Sequence, residues 1–339
     1  MPNKKTTRKI IIVVAMLLVL GVNTFLFGFI EPATAPNEQS ANTSTAVESS
    51  GTSSAHTSDS ADASQAAVQA ESAQTHETAP IVPAPENHFM IRMSPLDIQR
   101  GNLLLINHEH STNLPDERSF VRIANEKTLS YRVTVDDLLL AEAAIAPLND
   151  MMDSFFAETG RNTVAVISAY RDFARQEEIL REYIALVGSV EALRWAARPG
   201  HSEHHTGLAV DLGMYSNGVL RTFLGTGVYS WFERNSHEYG FILRYPAEKS
   251  EITKTAYEPW HYRYIGLPHA QIVHSNGWCL EEYIEILMSH TRSEPFVEVY
   301  DDGEYEIYYT ADMEIFIPYD SEFDISGNNI DGFIVTIKR

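Results

Sequence analysis

A long apolar run near the start of the chain constrains its architecture more than any other feature. Residues 10–30 are almost entirely hydrophobic, and about 20 such residues form a helix that spans a bilayer. Residues 1–9 carry four basic side chains, and the first acidic residue of the chain is Glu31. Because basic segments stay on the cytoplasmic side, we predict a cytoplasmic tail at 1–9, a single transmembrane anchor at 10–30 and an extracytoplasmic remainder.

A cleaved signal peptide is the alternative for this segment. Ala33-Thr34-Ala35 has the small-x-small pattern of a cleavage site. The apolar core of a signal peptide usually has about 7–15 residues, however, and Pro36 would directly follow the cut. The longer apolar run therefore favours an anchor that stays in the membrane.

Residues 31–87 differ in composition from the rest of the chain. They are mostly Ala, Ser, Thr, Gln, Glu and Pro, with few large apolar side chains. Such a segment cannot bury enough surface to offset the entropy that ordering would cost. We predict a disordered stalk between the anchor and the folded region.

Charge and cysteine content exclude two classes of protein. The formal net charge is −21, whereas nucleic-acid binding needs basic surface, so we expect no nucleic-acid partner. Cys279 is the only cysteine, so the chain has no internal disulfide, and we predict a buried, unreactive thiol. Nothing in the pattern indicates an oligomeric state.

Residues 88–290 alternate between helical and strand-like patterns. Residues 101–107 predict a short buried strand, and residues 134–156 predict an amphipathic helix that Thr134 begins and Gly160 ends. Further apolar patterns predict strands at 164–167, 208–212, 241–245 and 262–265, and helices at 175–187, 229–239 and 268–289 with an interruption near Gly277.

Residues 291–339 change to a β pattern. Residues 296–300 and 305–310 flank an Asp-Gly turn, and residues 313–317 and 333–337 add two strand candidates. The whole pattern predicts an α+β fold: a small antiparallel sheet with flanking helices at 88–290, followed by a small C-terminal β module at 291–339.

Two short segments contain residue types suited to metal chemistry. His204 and Asp211 lie in the first segment, and His261 lies in the second. Zinc hydrolases hold the ion with three such ligands and leave a fourth position for water, whose pKa falls to about 7. Glu258, three residues before His261, is a candidate general base, and Pro259 after it excludes a regular helix there.

Spacing alone leaves a structural alternative open. Two histidines and one aspartate spread over about 60 residues are a weak pattern, because single histidines are usually structural. The glycines beside them also occur in ordinary turns.

The segments resemble the VanY-type D-alanyl-D-alanine carboxypeptidase family, and residues 101–107 and 325–332 extend the similarity over most of residues 100–337. The resemblance is carried by separated motifs in the family's order: Ser168-Ala169-Tyr170-Arg171-Asp172, Ser202-x-His204-x-x-Gly207-Leu208-Ala209-x-Asp211, residues 239–246, and Glu258-Pro259-Trp260-His261-Tyr262-x-Tyr264.

The resemblance implies a zinc site on the predicted sheet. Its ligands would be His204, Asp211 and His261, with Glu258 as the catalytic base. Arg171 would contact the substrate and stabilise developing negative charge, a role that suits a guanidinium.

Three further residues are predicted to contact the substrate. They are Tyr170, Ser202 and Trp260, which lie within the same motifs. Ala169 stands where the family usually has glycine, and its additional methyl group is expected to be tolerated.

The implied activity is zinc-dependent removal of the C-terminal D-Ala from peptidoglycan stem peptides, which serves either glycopeptide resistance or wall maturation. An L,D-carboxypeptidase acting on tetrapeptide stems would share the motifs. A different class, a non-catalytic ectodomain that binds the cell wall or senses it, is a further alternative. The last alternative is that residues 295–339 are the functional part, a β module that binds the wall polymer.

Overall fold

The computed structural model describes residues 86–113 and 119–339. Its strands are β1 His88–Arg92, β2 Phe120–Arg122, β3 Arg132–Val133, β4 Leu139–Ala141, β5 Val164–Ser168, β6 Ala209–Ser216, β7 Val219–Thr222, β8 Phe241–Leu243, β9 His261–Tyr264, β10 Phe296–Tyr300, β11 Gly303–Thr310, β12 Glu314–Pro318, β13 Glu322–Gly327 and β14 Phe333–Lys338. Its α-helices are α1 Ile123–Glu126, α2 Glu142–Thr159, α3 Phe173–Val187, α4 Ser189–Ala192, α5 Trp231–Asn235, α6 Ser250–Thr253, α7 His269–Asn276 and α8 Leu280–Met288.

A six-stranded sheet occupies the centre of the region that carries the motifs. The strand order is β3-β5-β6-β9-β8, and β7 pairs with the C-terminal half of β6. Only β3 and β5 are parallel in this sheet. Every residue of β5 is buried, because side chains of α2 such as Leu148 and Phe155 share one apolar core with the sheet.

A second, four-stranded antiparallel sheet has the order β10-β11-β14-β13, and β1 pairs with β12 beside it. The β10–β11 hairpin turns through Asp301 and Asp302, as the Asp-Gly pattern predicts. The mixed fold with a C-terminal sheet confirms the predicted α+β class.

The predicted helix at 134–156 is wrong at its start. The helix α2 begins at Glu142, because residues 139–141 form β4 and pair with β2. Thr134 lies before this strand, where its amide donates to the carbonyl of Val166. Gly160 does end the helix, in the left-handed conformation.

Residues 101–107 are buried as predicted but do not form a strand. Leu103 to Ile106 are at most 5% exposed, yet their backbone groups bond to side chains and loops. The amide of Leu103 donates to Ser326 Oγ, and the carbonyl of Leu105 accepts from Asn329 Nδ2. The segment is held by the C-terminal sheet, which a local pattern does not reveal.

The remaining predictions divide into confirmed and corrected elements. Strands β5, β8 and β9, helix α3 and the break between α7 and α8 at Gly277 match the patterns within a few residues. The predicted helix at 229–239 is instead three short pieces, of which only α5 is α-helical. Six strands of the described region were not predicted: β1, β2, β3, β4, β7 and β13.

The predicted tail at 1–9, the anchor at 10–30 and all but the end of the stalk at 31–87 lie outside the described residues. Within the described ranges, no helix combines the length and apolarity needed to cross a bilayer.

Candidate active site and metal centre

Strand register brings two of the predicted ligands together. Asp211 in β6 lies opposite His261 at the start of β9, and it lies opposite Ser168 at the end of β5 on its other side. Directly opposed residues of antiparallel strands have adjacent side chains. A single strand pairing therefore brings Asp211 and His261 together, although they are 50 positions apart in the sequence.

A tight turn positions the third predicted ligand, His204. His204 lies in a short 3₁₀ helix, Glu203–Thr206, which ends at Gly207 with φ of 66°. A β-carbon on Gly207 would lie 2.7 Å from Phe120 Cε1 and 3.0 Å from the amide of Ala141. Only glycine therefore fits this turn without displacing its neighbours.

The donor atoms of these residues are close enough to share one ion. His204 Nε2 lies 3.1 Å from Asp211 Oδ2, and His261 Nδ1 lies 3.1 Å from Asp211 Oδ1. All three donor groups fall within 4.8 Å of one another and are buried. Ligands at about 2.1 Å from a tetrahedral zinc lie about 3.4 Å apart, so the spacing fits.

The protonation state of His204 also fits a metal ligand. His204 Nδ1 bonds to the carbonyl of Ala169 at 2.6 Å, so it is the donor and Nε2 keeps its lone pair for an ion. Burial and the charge of Arg171 lower the pKa of His204 to about 4, which keeps the ring neutral. Asp211 Oδ1 is buried and makes no hydrogen bond among the described residues. An unpaired buried carboxylate oxygen is costly unless it binds an ion.

Glu258 stands beside this group in a loop before β9, as Pro259 predicts. Its Oε2 lies 3.6 Å from His261 Nδ1, and the residue is 6% exposed. Burial raises the pKa of Glu258 to about 8, and the nearby Asp211 acts in the same direction. A carboxyl with a raised pKa at the edge of a cavity suits proton transfer near neutral pH.

Arg171 approaches the same group from the turn between β5 and α3. Its Nη1 donates to Gln176 Oε1 at 2.8 Å, and its Nη2 donates to Ser168 Oγ at 2.8 Å. The same Nη2 lies 3.4 Å from Asp211 Oδ2. The guanidinium is thus fixed in place by two neutral partners and by the longer contact to Asp211, and it lines the cavity, where it can also bind an anion.

These side chains line one cavity of about 330 Å³. Predicted substrate contacts Ser202 and Trp260 also line it and are buried. Tyr170, the third, does not line it; its ring packs on Phe120, with ring centres 4.5 Å apart.

One buried residue of the site was not identified from the sequence. Glu203 is 1% exposed, and its Oε1 accepts from Arg244 Nε and from Arg263 Nη1, each at 2.7 Å. Its Oε2 lies 3.5 Å from His261 Nε2. The only indication in the sequence is its position, between the motif residues Ser202 and His204.

Three buried nitrogen and oxygen donors around a cavity, with a carboxyl and a guanidinium beside them, correspond to the class of metal-dependent hydrolases. Comparison with known proteins supports the hydrolase part of this assignment. The family model described as VanY, D-alanyl-D-alanine carboxypeptidase, matches residues 137–267. A D-alanyl-D-alanine carboxypeptidase of Enterococcus faecium is 34% identical over 247 residues, 71% of this chain and 76% of that relative. The chain belongs to the VanY family of D-alanyl-D-alanine carboxypeptidases, as the motifs predict.

Two other similarities support the assignment. A D-alanyl-D-alanine carboxypeptidase of Enterococcus faecalis is 34% identical over 197 residues, 56% of this chain and 67% of that relative. The crystal structure of the vancomycin resistance D,D-dipeptidase VanXYg, in complex with a D-Ala-D-Ala phosphinate analogue, has a TM-score of 0.67 and 32% identity. The match covers 74% of this chain and 99% of the VanXYg chain.

Proposed function

We propose that the chain is a zinc-dependent D,D-carboxypeptidase that removes the C-terminal D-Ala from peptidoglycan stem peptides. The observation that supports this most directly is the convergence of His204, Asp211 and His261 on one point of the cavity, with Glu258 beside them. Relatives named for D-alanyl-D-alanine hydrolysis support the substrate class.

Each residue has a role that follows from its position. His204 Nε2, Asp211 and His261 Nδ1 would hold the ion, which when bound supplies a Lewis acid and a water of lowered pKa. Glu258 accepts a proton from the attacking water as its oxygen bonds to the scissile carbonyl carbon. Glu258 then gives that proton to the leaving amine as the carbon–nitrogen bond breaks.

Arg171 carries the charge complementarity of the site. Its buried guanidinium lies beside Asp211 and faces the cavity, where a substrate carboxylate or the tetrahedral oxyanion would develop a directed, charge-assisted hydrogen bond. Trp260 and Ser202 form part of the wall against which the peptide would lie.

The proposed location follows from the sequence. A transmembrane anchor at 10–30 and a stalk at 31–87 would place the catalytic region outside the membrane, where stem peptides are found. A flexible tether lets such a domain sample the adjacent wall.

The test gives the full-length protein two substrates separately, a pentapeptide stem ending in D-Ala-D-Ala and the tetrapeptide stem. Product masses and bound metal are measured in parallel. We expect about one zinc per chain and release of one D-Ala from the pentapeptide. Cleavage of the tetrapeptide alone would show an L,D-carboxypeptidase instead, and no cleavage of either would favour a non-catalytic wall-binding or sensory protein.

A further inference from the structure

Glu203 lies between two motif residues, Ser202 and His204, but it does not line the cavity. Its side chain is 0% exposed and enters a buried charge network. One oxygen, Oε1, accepts hydrogen bonds from both Arg244 and Arg263. The other oxygen, Oε2, makes no hydrogen bond among the described residues.

The unpaired oxygen faces an equally unpaired nitrogen. His261 Nε2 is buried without a hydrogen-bond partner in the described part of the chain, and it lies 3.5 Å from Glu203 Oε2. The opposite ring nitrogen, Nδ1, is the one that lies 3.1 Å from Asp211. The imidazole is therefore placed between the metal-ligand group and this carboxylate.

We propose that Glu203 is a positioning residue that holds the proton of His261 on Nε2 and so directs the Nδ1 lone pair at the metal. The inference rests on the zinc site of the proposed function. A carboxylate behind a ligating histidine fixes its tautomer and ring orientation and increases its basicity as a ligand. The 3.5 Å separation is slightly longer than a hydrogen bond, so we expect it to shorten when the ion is bound.

Two arginines keep this carboxylate ionised and in place. Arg244 and Arg263 are both fully buried. Arg244 also donates two hydrogen bonds to Glu281, at 2.8 and 2.7 Å, and Arg263 donates to the carbonyls of Asn102 and Leu104. Two carboxylates, Glu203 and Glu281, thus balance two guanidinium groups, and this pairing holds the Glu203 side chain beside His261.

Glu281 offers a matched control. Like Glu203→Gln, Glu281→Gln removes one carboxylate partner of Arg244, but Glu281 does not contact His261. Zinc affinity of each full-length variant is measured by competition with a chromophoric chelator. We expect Glu203→Gln to bind zinc about 10- to 100-fold more weakly than wild type. Glu281→Gln should stay within about threefold, and Glu203→Asp, which keeps the charge, should recover part of the loss.

Two outcomes would overturn the inference: zinc binding by Glu203→Gln equal to wild type, or an equal loss in Glu281→Gln, which would assign the effect to network charge alone. Wild-type protein that binds no zinc would instead overturn the proposed function.

A second measurement does not depend on any variant folding. Nitrogen-15 spectra of histidine-labelled, zinc-loaded wild-type protein report which ring nitrogen carries the proton. We expect His261 to be protonated at Nε2 and to ligate through Nδ1. Ligation through Nε2 would contradict the positioning role.

A different observation concerns the exposed part of the cavity lining. Arg194, Arg198 and Lys254 line the cavity and are exposed, although the chain as a whole carries a net charge of −21. The acidic residues of the lining, Asp211 and Glu258, are both buried. The entrance is therefore cationic on an otherwise acidic protein.

Two of these cations have no acidic partner among the described residues. Arg194 lies 3.7 Å from Glu191. Arg198 donates to the carbonyl of His108, and Lys254 donates to the carbonyl of Glu251. Backbone carbonyls leave both positive charges uncompensated, so they can attract an anion.

We propose that Arg198 and Lys254 bind a second carboxylate of the substrate, on a residue upstream of the scissile bond. The inference names the substrate class of the proposed function, a stem peptide with a free carboxylate besides its C-terminus. Exposed ion pairs are individually weak, so we expect a modest, salt-sensitive preference for such peptides.

The test uses two pentapeptides that differ only in one upstream group, a carboxylate in one and a carboxamide in the other. For wild type we expect kcat/KM to favour the carboxylate peptide about two- to fivefold at low salt. Arg198→Gln and Lys254→Gln should each reduce that ratio. Arg221→Gln, an exposed cation on β7 outside the cavity, should not.

Equal kcat/KM for the two peptides in wild type would overturn this proposal while leaving the carboxypeptidase activity in place. Failure to hydrolyse either peptide would overturn the activity itself.

Discussion

At the scale of single residues, the site separates functions that the sequence places side by side. Glu258 and His261 are three positions apart, yet only His261 belongs to the group of donor atoms within 4.8 Å. Glu258 Oε2 lies 3.6 Å from the Nδ1 of His261. Glu258 also lines the cavity, where it can exchange a proton with a water. Binding of the ion and transfer of the proton can therefore be tested independently.

Glu258→Gln keeps the shape of the side chain and removes its basicity. We expect kcat on the pentapeptide to fall about 10²- to 10⁴-fold, the usual contribution of a general base. Zinc content should stay near one per chain, because Glu258 is not a donor. Rates come from D-Ala release and metal content from elemental analysis.

Glu251→Gln serves as the control, since Glu251 is exposed on α6 and does not line the cavity. It should hydrolyse the peptide at the wild-type rate. Unchanged turnover in Glu258→Gln would remove the proposed base from the mechanism.

At the scale of elements, the 3₁₀ turn at Glu203–Thr206 matters more than its length suggests. It carries His204 toward the cavity and Glu203 toward the arginines, and His205 Nδ1 donates to the carbonyl of Arg171 at 2.6 Å. Gly207 ends the turn, and its carbonyl accepts from the amide of Ala141. The geometry of the ligand thus depends on one left-handed glycine.

Gly207→Ala should destabilise the protein by about 2–4 kcal/mol, from left-handed strain together with the contact against Phe120. Gly218→Ala is the matched control, because Gly218 has φ of 76° but no atom lies within 4 Å of the point that an added β-carbon would occupy. It should cost only about 1 kcal/mol. Denaturant unfolding measures both, and equal losses would show that the steric contact is unimportant.

At the scale of the whole described region, the six-stranded sheet and the C-terminal sheet contribute side chains to one apolar core. One cluster combines Leu103 and Leu105 with α7 and α8 residues such as Ile272 and Tyr283, and with Ile307 and Ile334 of the C-terminal sheet. Residues from three separate stretches of the chain therefore bury one another.

Removal of residues 292–339 is accordingly expected to abolish folding of the region that carries the site. The deletion would expose Leu103 and Tyr283, which are 1% and 0% exposed in the intact protein. We expect insoluble or protease-sensitive protein. A soluble, active truncation would show instead that residues 292–339 act as a separate module, such as a wall-binding one.

A buried histidine at this junction predicts a pH dependence of stability. His269 on α7 bonds to Tyr283 Oη at 2.7 Å and to Thr336 Oγ1 on β14 at 3.1 Å. Burial lowers its pKa to about 3, whereas an unfolded histidine titrates near 6.5. Below about pH 6.5 the unfolded chain therefore binds more protons than the folded one, and stability falls as pH decreases.

We expect His269 to contribute about 2–3 kcal/mol of this loss between pH 6.5 and 4.5. Chemical unfolding across this range should show a shallower slope for His269→Gln, with its own stability at pH 8 as the reference. A slope identical to wild type would exclude His269 as a source of the acid sensitivity.

Local patterns predicted those elements that local chemistry specifies. Gly160, Gly188, Gly240 and Gly277 end helical segments, and strand β5 follows from its apolar run. Where an element depends on a distant partner, the pattern failed. Helix α2 begins late because residues 139–141 pair with β2, and residues 101–107 bond to Ser326 and Asn329 instead of forming a strand.

The sequence by itself determined the family, the fold class and the residues able to bind a metal, because motif residues and hydrophobic periodicity are properties of the chain order. Only the tertiary structure decided how those residues meet. Register pairs Asp211 with His261, a turn that ends in glycine positions His204, and two distant arginines hold Glu203 beside the His261 ring. Distances between side chains far apart in sequence are set by strand pairing and packing, which no local pattern contains.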